Sequence, residues 1–315
     1  MAFDLQVFNK QTQLALTETV DQAIEKFNAA SGGAIILQNK PAEGDFDIRA
    51  SFKGIAGLVR HRNVYGTGTV DAKRLEQLLD VAVKVAAGTA PIEYQPSQYK
   101  WILLNPELAA IEIGTQLAKA RVADMLNTAI AGTVAAISGN TAMTLDEKTA
   151  APTFRILNKG AAKMGDRAGS LKAWVLHSTT LHGLYDNALT NAENLFKYEN
   201  VNVIRDPFGR VFVVTDSPAL MASDGTFNTL GLVENAVVVS GNNDFDSVLV
   251  PKTGGENLSA VYQAEWTYNL GILGYKWDMT AGGKSPNDTA LGTPTNWDKS
   301  VTSNKDTAGV LVKTK

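Results

Sequence analysis

The chain has 315 residues, of which 44% are hydrophobic and 19% are charged. This composition is typical of folded globular proteins and excludes a chain that is disordered throughout. The 29 basic and 32 acidic residues give a formal net charge of -3, which argues against a strongly basic surface for nucleic acid. The absence of cysteine excludes disulfides and thiolate metal ligands.

The N-terminal sequence MAFDLQVFNKQTQ lacks the basic start and apolar stretch of a signal peptide. No apolar run approaches the roughly 20 residues that cross a bilayer, so we expect a soluble, cytoplasmic start and no membrane partner. After this polar arm, TETVDQAIEKFNAAS (residues 17–31) places its apolar residues on one face and stops at Gly32 and Gly33. This pattern predicts a helix that needs a partner to cover it.

Residues 46–70, FDIRASFKGIAGLVRHRNVYGTGTV, combine short β-prone pieces with four glycines. The pattern predicts a long, twisted β excursion, and it predicts that GTGT at residues 66–69 forms turns rather than a phosphate cradle. The basic triplet Arg60, His61 and Arg62 is a weak indication of phosphate binding. Contact with a neighbouring subunit or plain solvation is the favoured interpretation.

Two helices are predicted next. From Asp71 to about Ala87, one helical face is apolar, and it comprises Leu75, Leu78, Leu79 and Ala82. Residues 105–138 give the strongest signal, with Asn105 as N-cap, Pro106 in the first turn and a stripe of small residues along the helix. At 1.5 Å per residue this helix would be roughly 50 Å long, which suggests a spine that carries several elements or several subunits.

The second half of the chain mixes helices and strands. Residues 154–165 are expected to be helical, LKAWVLH (171–177) to be a buried strand, and VNVIRDPFGRVFVVTDS to be a hairpin around a type I turn at residues 206–209. VYQAEWTYNLGI (261–272) alternates strictly and predicts a half-covered strand. The tail from residue 281 onward is polar and turn-rich, so it packs on another element or stays loose.

Ser178, His182 and Asp186 follow the strand LKAWVLH at four-residue steps and are the residue types of a hydrolase triad. A triad must converge on one imidazole, whereas the ends of this trio on a straight helix are separated by about 12 Å of axial rise. The GxSxG elbow of many hydrolases is also absent. We therefore predict that Ser178 or Thr179 caps a helix and that His182 and Asp186 form an exposed pair.

The metal and base-stacking patterns are equally weak. His177 and His182 lie on different helical faces, and GNNDFDS (241–247) lacks the glycine and the terminal glutamate of a calcium loop, so a loop of self-bonding side chains is favoured. The aromatic stripe around Trp266 lacks basic neighbours in sequence and predicts a sheet core. No catalytic residue, cofactor or metal ligand is assigned.

Several long stretches together resemble the major capsid proteins of tailed bacteriophages. They are WVLHSTTLHGLYDNALTNAENLF, NVIRDPFGRVFVVTDSPAL, NDFDSVLV, NLSAVYQAEWTYNLGILGYKWD and GGKSPNDTALGTPTNWDKSVTSNKDTAGVLV. The order of the elements agrees with that family along nearly the whole chain. The resemblance implies an α+β fold of the Hong Kong 97 type.

The resemblance also implies a domain organisation. Its expected segments are an N-terminal arm and helix (1–43), an extended loop (44–98), a peripheral domain with the spine helix (99–151), an axial domain (152–250), and return strands with the C-terminal tail (251–315). The extended loop is expected to reach over a neighbour, with Arg60 and Arg62 as subunit contacts. Because the predicted helix begins within twenty residues of Met1, scaffolding would be a separate protein or absent.

The implied function is structural and non-enzymatic, namely self-assembly as hexamers and pentamers into an icosahedral head around phage DNA. The implied location is the virion, assembled in the host cytoplasm, with scaffolding, portal and decoration proteins as further partners and no sequence-specific DNA binding. Three alternatives stay open: an encapsulin-type bacterial compartment shell, a serine hydrolase that uses Ser178 and His182, and a phage decoration or adhesin protein.

Overall fold

The structure is a computed structural model that describes residues 5–41, 44–52, 59–71, 77–95, 106–190 and 209–315. Its main helices and strands follow one another in the order α1 (Leu5–Ala30), β1 (Ile35–Asn39), β2 (Phe46–Phe52), β3 (Gln77–Gly88), β4 (Ile92–Tyr94), α2 (Pro106–Ser138), β5 (Thr144–Asp146), α3 (Phe154–Ala162), β6 (Leu171–Leu176), α4 (Ser178–Thr190), β7 (Val211–Val214), β8 (Phe227–Val233), β9 (Val237–Gly241), β10 (Asp246–Lys252), β11 (Ser259–Ile272), β12 (Tyr275–Trp277), α5 (Asp288–Leu291), β13 (Trp297–Lys299) and β14 (Gly309–Thr314).

Within the described residues these strands form two sheets. The larger sheet contains nine strands, and the long strand β11 lies at its centre. The first half of β11 pairs with β10 on one side and β4 on the other, whereas its second half pairs with β9 and β3. The smaller sheet has the order β5-β14-β8-β6-β7. The last strand of the chain, β14, therefore belongs to the smaller sheet.

The strand predicted at residues 261–272 is confirmed as the core of β11. Its alternation has the expected physical cause, because alternate side chains of a strand point to the same face. The side chains of one face are buried, namely Tyr262, Ala264, Trp266, Tyr268, Leu270 and Ile272. Residues of the opposite face, such as Gln263 and Glu265, are exposed.

The predictions for the first two long helices are confirmed, and α1 is longer than predicted because it extends back to Leu5. The two helices pack closely where they cross. A Cβ added at Gly114 of α2 would lie 2.7 Å from the carbonyl oxygen of Thr12 and 3.2 Å from the backbone nitrogen of Leu16. Because Gly114 has no side chain, the backbone of α1 approaches α2 directly. Leu16, Val20 and the rest of the inner face of α1 are buried there.

The helix predicted from Asp71 to Ala87 is wrong for its described part, residues 77–87. These residues form β3, which pairs with β2 along one edge and with β11 along the other. The leucines satisfy helical spacing, but Val81, Val83 and Val85 alternate and are all buried. β-branched side chains at every second position fit a pleated sheet, and pairing on both edges outweighs the helical periodicity.

The β excursion predicted for residues 46–70 is a strand only in β2, because the described residues 59–70 contain no strand. The other predicted elements agree with the sequence-based expectations where the structure describes them. Residues 154–162 form α3, capped by the Thr153 hydroxyl, which accepts a hydrogen bond from the N–H of Ile156 at 3.2 Å. LKAWVL forms the buried strand β6. The tail packs through α5, β13 and β14 instead of staying loose. The Asn105 cap lies outside the described residues, as do the first arm of the hairpin predicted around residues 206–209 and all of its turn except Gly209. The described second arm contains β7.

None of the helices in the described part of the chain combines the length and apolar character that a bilayer crossing requires.

Candidate functional site

The candidate triad residues Ser178, His182 and Asp186, which were predicted not to form a triad, do not assemble around an imidazole. Ser178 is the first residue of α4, and His182 and Asp186 are exposed further along it. The Ser178 backbone N–H donates to Asp216 Oδ1 at 3.3 Å, and its hydroxyl also bonds to this carboxylate. In a working triad the imidazole lies between the hydroxyl and the carboxylate, so that it takes the proton. The Ser178 hydroxyl instead contacts a carboxylate directly, which is not the arrangement of a triad.

The cap of α4 is a histidine, so the predicted cap by Ser178 or Thr179 is wrong. Nδ1 of His177 accepts a hydrogen bond from the Thr179 N–H at 3.1 Å, and Nε2 lies 3.6 Å from Asp216 Oδ1. The hydrogen bonds from Ser178 hold the pKa of Asp216 below its usual value. The ring of His177 also lies against Phe227, with ring centroids 5.2 Å apart. This arrangement caps the start of α4.

The polar side chains of the loop at residues 241–247 form hydrogen bonds with β11. The Asp244 carboxylate accepts a hydrogen bond from the Thr267 N–H at 2.8 Å and a second from the Thr267 hydroxyl. Asn242 donates to the Thr267 hydroxyl at 2.8 Å and accepts from Asn269 at 2.7 Å. In the described part of the chain, no group of three or more histidine or acidic residues is arranged to hold a metal ion.

The buried face of β11 carries a polar network against the spine helix α2. The Tyr268 hydroxyl lies 3.0 Å from Asp124 Oδ2 and 2.9 Å from Thr128 Oγ1. Burial raises the pKa of both Tyr268 and Asp124. Arg121 lies with its guanidinium carbon 5.8 Å from the centre of the Trp266 ring, and burial lowers its pKa.

The Trp266 stripe therefore has one basic neighbour that the sequence did not reveal. Arg121 precedes Trp266 by more than one hundred residues, so only the folded chain brings them together. Both side chains are nearly inaccessible, with Arg121 and Trp266 each 5% exposed. A base cannot stack on a ring that is covered in this way, and the stripe acts as sheet core as predicted.

The longest uninterrupted run of exposed residues in the described chain is the segment of residues 59–71, which lies between β2 and β3 in sequence. Each of its residues is exposed, including the apolar side chains of Val59 (88%), Val64 (72%) and Tyr65 (93%). Arg60 and Arg62 lie in the same segment. Large apolar side chains in contact with water at this density are typical of surfaces that are covered in an assembly.

A second exposed surface was missed by the sequence analysis. It is the outer face of the β10–β11 pair, where Val248 and Val250 are 55% and 53% exposed and Asp246 lies directly opposite Glu265. The alternation of DSVLVPK predicts one outward face for this strand, but the neighbour of each residue depends on the pairing register. The sequence does not specify that register without the fold.

The fold is that of phage capsid chains, which are shell-forming structural proteins of the Hong Kong 97 type. A chain of Microbacterium phage Oxtober96 is similar with a TM-score of 0.51 at 12% identity, over 89% of this chain and 89% of that chain. The cyanophage Pam1 capsid gives 0.51 at 9% identity, over 87% and 85%. The acid-stable capsid of Helicobacter pylori bacteriophage KHP30 gives 0.51 at 10% identity, over 92% and 91%. At these identities the likeness shows the fold.

A family model identifies the relationship. The chain belongs to the Gp13-like family, described as major capsid protein 13-like, which matches residues 4–311. A comparison with curated proteins finds no match. The chain is thus a structural component of a phage capsid, and the resemblance stated from the sequence is confirmed.

Proposed function

We propose that this chain assembles as hexamers and pentamers into the closed icosahedral head that encloses double-stranded phage DNA, and that it has no catalytic role. The family match over residues 4–311 carries this proposal. Rings arise when head-to-tail contacts close after a fixed rotation, and a shell forms when each subunit is held by several neighbours. Each contact can then be weak, because later contacts form at high effective concentration.

The mild net charge of -3 supports a container rather than a DNA-binding role. A strongly cationic lining would hold the packaged DNA through its phosphates, whereas a nearly neutral lining lets DNA enter and leave. We propose assembly in the cytoplasm of the bacterial host. Scaffolding, portal and decoration proteins are the further partners in this proposal.

We further propose the five segments expected from the sequence, refined by sheet membership. Strands β9 and β10 lie in the nine-stranded sheet with β3 and β11, so we assign them to the peripheral domain with α2. Strand β14 pairs with β8, so we assign it to the axial domain. In this proposal residues 59–71 form the tip of the extended loop and contact a neighbouring subunit through Arg60 and Arg62.

The test is assembly of the purified full-length chain, followed by sedimentation and negative-stain electron microscopy. We expect hexameric and pentameric rings and hollow closed particles. A chain that stays monomeric at high concentration, under conditions that favour association, would refute the proposal. The contents of particles from infected cells separate the two shell functions, because nuclease-protected DNA supports a phage head and packaged protein cargo supports an encapsulin.

A further inference from the structure

Two carboxylates of like charge face each other on the outer surface of the β10–β11 pair. Asp246 and Glu265 are directly opposite in the antiparallel register, and both are exposed. Residues opposite each other in such a pair have their Cβ atoms about 5 Å apart, and two negative charges in these positions repel. On its other side Glu265 is paired with Gly88, which contributes no side chain. This carboxylate pair therefore disfavours the strand pairing in an isolated subunit.

No cation of the described chain compensates these charges. The ion pairs among the described residues include neither Asp246 nor Glu265, although Asp246 accepts a hydrogen bond from the N–H of Ser247 at 2.8 Å. Among the described residues, no group of three or more histidine or acidic residues is arranged to hold a metal ion. The chemistry that fits the pair is an extended basic side chain supplied from outside the subunit, since a guanidinium bonds to carboxylates in a planar, forked geometry.

The segment of residues 59–71 supplies two such groups. Arg60 and Arg62 are exposed, and neither takes part in an ion pair with a described residue. Gly88 is paired with Glu265, and β3 runs from there to Gln77, so the base of the hairpin extension lies about 36 Å from Glu265 at 3.3 Å per residue. Every residue of the described segment 59–71 is exposed.

The apolar side chains of the two surfaces are also complementary. Val248 and Val250 lie on the same face of β10 as Asp246, so an acidic end is followed by an apolar strip. In the segment, the basic residues are likewise followed by Val64 and Tyr65.

A turn holds the apolar part of the segment in one shape before any contact is made. The side chain of Asn63 accepts a hydrogen bond from the N–H of Tyr65 at 3.0 Å, and its carbonyl accepts one from the N–H of Gly66 at 3.1 Å. An ordered segment loses less conformational entropy on docking than a flexible one.

We propose that residues 60–65 of one subunit dock on the outer face of the β10–β11 pair of a neighbouring copy, where Arg60 and Arg62 meet Asp246 and Glu265 and the Val64–Tyr65 turn covers Val248 and Val250. The inference rests on the proposed shell function, and it names the receiving surface for the extended loop. Because one surface donates and a different surface receives, the contact is head-to-tail and propagates around a ring.

Disulfide trapping tests this contact directly, because the natural chain contains no cysteine. The double variant Arg62→Cys/Glu265→Cys is assembled, oxidised and run on a denaturing gel without reductant. We expect trimers and larger linked species that disappear with reductant, since each chain uses one cysteine for each of two neighbours. The single variants can form dimers at most. Arg62→Cys/Glu256→Cys, with its second cysteine in the exposed loop after β10, is the matched control and is expected to give no ladder.

Charge exchange provides an independent test. Arg60→Glu/Arg62→Glu and Asp246→Arg/Glu265→Arg are each expected to lower particle yield by about tenfold, because a small loss per contact is repeated in every subunit. The chain with all four substitutions is expected to recover to within about threefold of the natural yield, since opposite charges again meet. Arg155→Glu/Lys172→Glu changes the net charge as much as the first variant and controls for charge alone.

The outcomes separate this inference from the shell proposal. If the natural chain forms no particles, the shell proposal fails. Alternatively, the natural chain forms particles while the double-cysteine chain shows no species above a dimer and the four-substitution chain gives no higher particle yield than the two double charge variants. In that case the docking surface is wrong and the shell proposal stands. Circular dichroism of each variant before assembly identifies a chain that has lost its fold, and in that case trapping of the cysteine variants decides.

Discussion

Replacing Gly114 with alanine tests whether the crossing of α1 and α2 is as close as the structure shows. The new Cβ would lie 2.7 Å from the Thr12 carbonyl oxygen and 3.0 Å from the Ala15 Cβ, so α1 has to move away by about 0.7 Å to reach ordinary contact. The atoms it meets first are backbone, which cannot rotate aside. The shift loosens the packing of Leu16 and Val20, which are both buried.

Two opposing terms decide the sign of this change. Alanine is favoured over glycine in a helix interior by about 1 kcal/mol, whereas overpacking a tight contact costs about 1–3 kcal/mol. We expect a net loss of about 1 kcal/mol in the free energy of unfolding. Gly132→Ala is the matched control in the same helix. The atom nearest to its new Cβ would be the flexible end of the Leu270 side chain, at 2.9 Å, so we expect this variant to lose less stability.

The measurement is amide hydrogen exchange of the unassembled chain, combined with urea unfolding. The Gly114→Ala variant is expected to lose protection in α1 around Leu16 while the smaller sheet keeps its protection, because the disturbance is local. An unchanged exchange pattern in α1, or a gain in stability equal to that expected from helix propensity alone, would show that the helices are not in backbone contact at Gly114.

Three further predictions concern titratable and capping groups. His177→Ala removes the acceptor for the Thr179 N–H and is expected to lower the thermal midpoint, at a cost of about 1 kcal/mol in stability. His177→Asn retains an acceptor and is expected to lose less stability, so equal losses in the two variants would contradict the cap. Burial raises the pKa of Asp124, so its charged form is disfavoured in the folded chain. Asp124→Asn is therefore expected to raise the free energy of unfolding in urea more at pH 7 than at pH 4, and an equal effect at the two pH values would contradict this expectation. Hydrogen bonds from Thr226 and Lys148 lower the pKa of Asp224, so the stability that its carboxylate contributes is present above pH 4 and is lost as the pH falls below 4. Asp224→Asn is therefore expected to make the free energy of unfolding less dependent on pH in acid, and an unchanged dependence would contradict the lowered pKa.

The parts of the fold that were predicted correctly are those in which one local signal dominates. The spine helix has a proline in its first turn and a stripe of small residues along one stretch, and β11 has six alternating apolar residues. The segment after Asp71 lacks this agreement, because its leucines favour a helix and its valines at 81, 83 and 85 favour a strand. The choice is made by β2 and β11, which pair with both edges of β3 and are distant in sequence.

The candidate surfaces were predicted only in part for a related reason. Arg60 and Arg62 were identified because a basic triplet inside a glycine-rich excursion is visible in the sequence. Asp246 and Glu265 are 19 positions apart in the chain, and they become neighbours only through the register of β10 and β11. The His177 cap was missed because histidine is not among the residues that typically begin a helix, and only the position of its ring nitrogen identifies it.

The exposed features of this subunit make physical sense together only in an assembly. In isolation, Asp246 and Glu265 place like charges opposite each other, Tyr65 is 93% exposed, and Val248 and Val250 are about half exposed. Each of these features lowers the stability of a free subunit or its solubility. A single exposed ion pair contributes no more than about 1 kcal/mol, which is too little to hold two subunits together. Repeated around a ring and across a shell, the same weak contact allows misplaced subunits to leave during growth while the closed particle is stable, because every subunit is then held by several neighbours at once.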